Sequence, residues 1–195
     1  MLSAVRLPYS FDAVRLERDL AAAESRIAWE RHPNRQDHFG DWSGIALRGN
    51  SPNPRSTLMI DPSRPDAFHD LEAFASCPYV REVIAEFHAP IRSLRFLKLA
   101  PEGGIREHRD MYVGFDHEEL RVHVVVTTND DVDFRVAGER FVMRPGECWY
   151  VNTDQAHAVV NRGTAARVHL IFDVVVNDWI REIVESASRD QAPVA

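Results

Sequence analysis

The chain reads as a mainly β fold with flanking helices, its strands closing into a sandwich or barrel. Three observations predict this. From Ile91 to about Val176 the hydrophobic period is that of strands, with short apolar runs and alternation in place of helical spacing. Turn-forming residues interrupt the same stretch at regular intervals: Pro101, Gly103-Gly104, Asn129 to Asp131, Ala137-Gly138, Pro145-Gly146, Asn152 to Asp154 and Asn161 to Gly163. Helical periodicity is confined to the segments before and after it.

Taken in order, Phe11, Val14, Leu16, Leu20, Ala23, Ile27 and Trp29 predict one helix over residues 11 to 30, capped by Ser10 or Asp12. Arg31 to Arg64 is polar and holds Pro33, Pro52, Pro54 and Pro62. Within it, the alternation Trp42, Ile45, Leu47 and the run Leu58, Met59, Ile60 predict two short strands. Asp66 to Phe87 predicts two helices separated at Pro78. Strands are then expected at Ser93 to Leu99, Arg121 to Thr128, Asp133 to Val136, Glu139 to Met143, Glu147 to Asn152, His157 to Asn161 and Arg167 to Val175. A closing helix follows over Asp178 to Ser186, and Arg189 to Ala195 reads as a loose tail. With no repeat and no long linker, residues 1-195 are expected to form a single domain. It comprises a helical and strand part over about 1-90, a β core over about 91-176 and a C-terminal helix over about 177-187.

A chain of 195 residues buries roughly 70% of its unfolded surface and needs neither disulfides nor a metal to make a core. Two cysteines, Cys77 and Cys148, are too few for a disulfide framework or a thiolate metal site and fit a reducing, cytoplasmic compartment. Lys and Arg number 23 against 30 Asp and Glu, a net charge of −7 with the basic residues scattered, which argues against nucleic acid as a partner. Neither a signal peptide nor a spanning helix is legible, so no membrane partner is expected. Oligomeric state is not readable from the sequence.

Of nine histidines, His32, His38, His69, His88 and His117 sit among charged and turn residues and read as surface. His108 and Asp110 differ, because on an extended segment residues two apart share a face while Arg109 points away. His157, from a distant strand, supplies a third ligand. Two imidazoles and a carboxylate on one face of a metal leave three positions open, as in non-haem Fe(II) oxygenases. A zinc-type hydrolase or isomerase on a cupin-like barrel could use the same three ligands, and this reading stays open. Arg121-Val122-His123 and Arg167-Val168-His169 each begin an otherwise apolar strand, which would turn two guanidiniums and two imidazoles inward. A ligand with two carboxylates would satisfy both arginines; alternatively each pairs with a protein acid such as Asp173 or Glu147.

The residues from Phe96 to Asp173 resemble the aspartyl/asparaginyl β-hydroxylase family of Fe(II)- and 2-oxoglutarate-dependent dioxygenases, including its bacterial branch of proline cis-4-hydroxylase-like enzymes. The motifs carrying the resemblance are His108-Arg109-Asp110, Arg121-Val122-His123, Pro145-Gly146-Glu147, Asp154 to His157 and Arg167 to Leu170. Trp42 with Ala46 to Gly49 extends it to about residues 40 to 176. The resemblance implies a double-stranded β-helix (jelly-roll, cupin-like) with His108, Asp110 and His157 holding iron. It also implies Arg167 on the distal carboxylate of 2-oxoglutarate, Arg121 and His123 near its chelating end, and His169 alongside. The implied reaction hydroxylates an unactivated C–H with O2, releasing succinate and CO2, with ascorbate as a possible support. An amino acid would be the substrate: free, carrier-bound, or an Asp/Asn-type residue in a peptide. Arg48, Trp42, Arg106 and Tyr112 are the candidate substrate contacts. Vertebrate-type members have glycine at the position of Asp110 and a serine at that of Leu97, so a contact made by that serine is either absent here or supplied by Tyr150 or another polar group. Closure over substrate would fall to the N-terminal part or to the loop Tyr112 to Glu119.

Overall fold

The computed structural model describes residues 2–53 and 56–191. Thirteen strands and three helices are present among them. In chain order they are β1 (Ala4–Ser10), α1 (Ala13–Glu24), β2 (Glu30–Arg31), β3 (His38–Phe39), β4 (Trp42–Gly49), β5 (His69–Asp70), α2 (Pro78–Ala85), β6 (Ile91–Leu99) and β7 (Gly104–His108). There follow β8 (Glu119–Thr127), β9 (Val132–Val136), β10 (Glu139–Phe141), β11 (Glu147–Val151), β12 (His157–Asn161), β13 (Arg167–Val175) and α3 (Asp178–Gln191). A short 3-10 helix, Glu72–Ser76, precedes α2.

The strands form two sheets. The larger runs β1-β11-β8-β13-β6-β4-β2 with β5 on β4, and the smaller runs β10-β9-β12-β7-β3. Pairing is antiparallel throughout the named strands. This is a double-stranded β-helix, and its central strands are apolar because both of their faces are covered. On the outer face of the large sheet Val122, Val124, Val126, Leu170 and Phe172 pack with Leu16, Val80, Val83, Ile180 and Val184 of the helices. On the inner face Leu97, Leu99, Val125 and Ile171 meet Ile105, Phe134, Val136 and Val159 of the small sheet. The strand period of two therefore sends Arg121, His123, Arg167, His169, Arg95 and Asp173 to the inner side, between the sheets.

Several sequence expectations change. β1 was not expected; Val5 and Leu7 are buried on alternate positions and pair its strand to β11. The helix begins at the cap Asp12, whose carboxylate accepts from the N–H groups of Val14 and Arg15, but it stops at Glu24 rather than residue 30. Leu58 to Ile60 is not a strand, and the first of the two helices expected after Asp66 is the short pair β5 and a 3-10 turn. Pro78 does mark the break, as the first residue of α2. β7 was missing from the expected strands, and α3 continues through Arg189 to Gln191 instead of fraying; Pro54 and residues 192–195 of the expected tail lie outside the described residues.

Candidate metal and cosubstrate site

His157 opens β12 and sits directly across from His108, the last residue of β7. The pairing then slips, so that Val159 faces Ile105. Three residues of β7 thus match two of β12, a bulge that reverses the alternation and lets Ile105 and His108 both face the interior. Asp110 lies beyond the strand, held by its N–H donating to the Thr153 carbonyl (2.8 Å). His108 and Asp110 share the site because of this bulge and turn, not because they are two apart on one strand. Arg109 does point away, toward the Asp154 carbonyl and carboxylate.

The donor atoms of His108, Asp110 and His157 lie within 4.8 Å of one another. Each imidazole is fixed from behind. Nδ1 of His108 is 2.8 Å from the Arg106 carbonyl and Nδ1 of His157 is 3.0 Å from the Gln155 carbonyl. A carbonyl only accepts, so both Nδ1 atoms carry the proton and both Nε2 atoms present a lone pair to the interior. Asp110 is fixed likewise: Arg121 donates to Oδ2, leaving Oδ1 3.5 Å from Nε2 of His108. Burial pushes the Asp110 carboxyl up, but the Arg121 guanidinium outweighs it and holds it well below the usual carboxylate range. His157 is driven down to about 4 by burial, with His108 adding to it. The cluster is thus a carboxylate and an imidazole ready to share a cation, with His108 drawn upward by Asp110 against its own burial.

These residues line a cavity of about 220 Å³. Arg167, at its inner wall, is 3% exposed. Its Nη2 donates to Nδ1 of His169 (2.9 Å), and its Nε has no partner among the described residues. Burial alone lowers it to about 9. No acid faces it. His123 lines the cavity with Nδ1 3.3 Å from the same His169 nitrogen, and burial keeps both imidazoles neutral, reinforced by Arg167.

Arg121 behaves differently from Arg167, and the expectation that one ligand would satisfy both needs correction. Arg121 pairs with Asp173 (Nε to Oδ1, 2.7 Å) and with Asp110, so protein acids already neutralise it. Asp173 also takes Arg95 (3.2 Å) and Ser93 (2.5 Å). Arg121 is therefore a brace behind Asp110. Trp42 lines the cavity and stacks on His32 with ring centroids 3.4 Å apart. Three other expected substrate contacts fall outside it. Arg48 spends its guanidinium on the Ile91 carbonyl, Asp70 and the Phe68 carbonyl, clasping β5 to the sheet. Arg106 faces outward to the carbonyls of Gln36 and His38. Tyr112 is 71% exposed at the mouth. Tyr150 cannot replace the missing serine at Leu97, because its hydroxyl accepts from the Phe115 N–H on the other side of the sheet.

Sequence reading missed Arg95 and His32. The signal for Arg95 was its parity with Leu97 and Leu99, which places it on the inner face. His32, read as surface, is a cavity wall pushed down to about 3 by burial and by Arg95.

Among proteins of known description, L-proline cis-4-hydroxylase from Rhizobium meliloti (strain 1021) is 25% identical over 166 residues. The match covers 84% of this chain and 57% of that protein's length. Among solved structures, an oxidoreductase of the 2OG-Fe(II) oxygenase family from Burkholderia pseudomallei superposes with TM-score 0.58 at 17% identity, over 89% of this chain and 85% of that one. A Pseudomonas putida prolyl-4-hydroxylase superposes with TM-score 0.51 at 13% identity, covering 90% and 93%. These superpositions establish the shared double-stranded β-helix. Residues 10–176, which contain the whole His108, Asp110 and His157 cluster, match the aspartyl/asparaginyl beta-hydroxylase family, and the chain belongs to it.

Proposed function

We propose that the protein is an Fe(II)- and 2-oxoglutarate-dependent hydroxylase acting on an amino acid, free or as part of a larger molecule, in a reducing, cytoplasmic setting. The observation that carries this reading is Arg167. A guanidinium buried without a counter-anion is costly, and a carboxylate placed in the cavity would supply what it lacks. A hydrolase or isomerase using the same three ligands has no need of such a group. The donor set fits the metal: two imidazoles and one carboxylate on one face suit a divalent iron with open positions. His108, Asp110 and His157 would hold it, and Arg167, with His123 beside it, would hold 2-oxoglutarate.

When bound, the iron and 2-oxoglutarate would supply oxidation of an unactivated C–H by O2, with succinate and CO2 released. The chain's own residues orient and exclude. Arg121, clamped by Asp173, keeps Asp110 ionised and leaves Oδ1 free. Leu97, Ile105, Phe134, Val159 and Ile171 keep water from the cavity walls. Charge balance favours a substrate carboxylate. Arg95, Arg121 and Arg167 stand against Asp110 and Asp173. A divalent cation and a dicarboxylate offset each other, so one positive charge is left inside the cavity, which a substrate carboxylate, that of a free amino acid or of an acidic side chain, would meet. The hydroxylation of proline by the rhizobial relative supports the same class.

The test is 2-oxoglutarate turnover. With Fe(II) and ascorbate the purified protein is expected to form succinate. Arg167→Ala is expected to raise the 2-oxoglutarate requirement at least about tenfold, the scale of one lost charge-assisted contact. Unchanged saturation in that variant would remove the cosubstrate assignment.

A further inference from the structure

The mouth of the cavity holds a feature that the reaction above does not use. Asp110 to Val113 form a turn, closed by the Val113 N–H donating to the Asp110 carbonyl (3.3 Å). Tyr112 sits in it at φ +70°, a left-handed conformation that glycine adopts without cost and tyrosine does not. The turn is over-determined: Tyr112 N–H donates to Asp154 Oδ1 (3.2 Å), and the Val113 carbonyl accepts from Asp154 N–H (3.0 Å) and the Thr153 hydroxyl (3.3 Å). Yet the strain gains no burial, since Met111 is 68% and Tyr112 71% exposed. Two large apolar side chains are thus held in water one and two residues from Asp110, where glycine would serve the fold better.

Beside the turn runs a groove of about 430 Å³ whose apolar walls include Tyr112, Ile60, Pro65 and Phe68. Ile60 lines the buried cavity as well, so the two spaces adjoin at that side chain. The far wall is built rather than loose. Asn50, 2% exposed, accepts from the Asp61 N–H (3.0 Å) and donates to the carbonyls of Asp61 and Arg64 (2.9 Å each). The buried cavity, at about 220 Å³, falls below the roughly 300–1,000 Å³ of pockets that enclose a drug-sized ligand. Once a cosubstrate occupies it, the rest of a substrate larger than one residue is left outside this space, and the groove that adjoins it at Ile60 offers a place for it.

Charge selects what lies there. The groove lining contains the carboxylates of Asp61, Glu118 and Glu119. Its single guanidinium among the described residues, Arg92, is shared between Glu118 (3.4 Å) and Glu119 (3.1 Å). Such a surface repels the phosphodiester of a carrier-bound substrate and attracts a cation with an apolar stem.

We propose that this groove binds a basic side chain, lysine or arginine, next to the hydroxylated residue of a peptide. Its stem lies on Ile60, Phe68 and Tyr112, and its charged head faces Asp61 and Glu118. The identity of the modified residue rests on the hydroxylase reading; the preference for a basic neighbour rests on the groove walls.

The test uses the full chain with Mn(II) and 2-oxoglutarate under nitrogen. Pools of randomised, N-acetylated and C-amidated pentapeptides, sorted into Lys/Arg-containing and Glu-containing sets, are read by equilibrium dialysis and mass spectrometry, alongside free amino acids and a phosphopantetheinyl aminoacyl probe. The basic set is expected to be retained about tenfold better than the acidic set, with Glu118→Lys reversing that order. Tyr112→Gly is expected to weaken retention of the basic set about three- to tenfold while leaving the unfolding midpoint unchanged or higher. Retention of no peptide, equal retention of both sets, or better retention of the free amino acids or the phosphopantetheinyl probe overturns the proposal. A basic preference without succinate formation in the Fe(II) assay would sink the hydroxylase reading and leave the groove's ligand standing; succinate formation without a basic preference would do the reverse.

Discussion

At the scale of single residues, Arg167 makes a prediction whose two halves have opposite sign. Its guanidinium is buried with no acid beside it among the described residues. Arg167→Met keeps the length and removes the uncompensated charge. The ligand-free variant is therefore expected to be more stable to urea, by about 1–4 kcal/mol, while binding 2-oxoglutarate worse. A variant destabilised and still able to bind would make Arg167 a packing residue. The buried histidines set the pH response of the ligand-free protein. His32, His123 and His169 are all lowered by burial, His32 to about 3. Below the ordinary histidine value near 6.5 the unfolded chain takes up protons that the folded one refuses. Their contribution is thus intact above about pH 6.5 and lost on acidification, by up to about 1.4 kcal/mol per unit per histidine. Urea titrations at pH 7 and pH 5 should show the fall; equal stabilities would mean that these imidazoles are hydrated.

At the scale of elements, Asp173 near the end of β13 joins three strands through Arg121 of β8 and Arg95 and Ser93 of β6. Burial raises its carboxyl, but the two arginines more than reverse this and hold it well below the usual carboxylate range. Its stabilisation is present above about pH 4 and lost as pH falls beneath that value. Asp173→Asn strands the Arg95 guanidinium and leaves Arg121 with Asp110 alone, and chemical denaturation should show a loss of about 3–5 kcal/mol. A loss below about 1 kcal/mol would show the network to be dispensable.

Elements also show what the sequence could and could not convey. β12 and β13 were legible to the residue, because their apolar runs are bounded by turn residues on both sides. β2, β3 and β5 were not, since each is two residues long and exists only through its partner. The ligand trio was legible by residue type, whereas the bulge that aims His108 depends on a register with β12 that no local pattern records. The separate fates of Arg121 and Arg167 were also hidden. They head similar Arg-Val-His strings, yet Asp173 and Asp110 come to one and not to the other. Gly146, in the quoted Pro145-Gly146-Glu147 motif, belongs to the scaffold: at φ +81° its place for a Cβ is 2.3 Å from the Phe11 carbonyl oxygen.

At the scale of the whole molecule, one sheet does two jobs. Its outer face buries helices and its inner face carries the charged residues, so the apolar strands of β8 and β13 are at once core and site. No helix among the described residues is long and apolar enough to cross a membrane. On the proposed reading, the space between the sheets takes Fe(II) and 2-oxoglutarate together. The most direct measurement is an anaerobic titration of the metal-free protein with both, followed by visible absorption. The wild type should develop the weak metal-to-ligand charge-transfer band of the chelated complex, and His108→Ala and His157→Ala should not. An absent band in the wild type, with tight zinc binding instead, would contradict the claim and favour a hydrolase or isomerase built on the same three ligands.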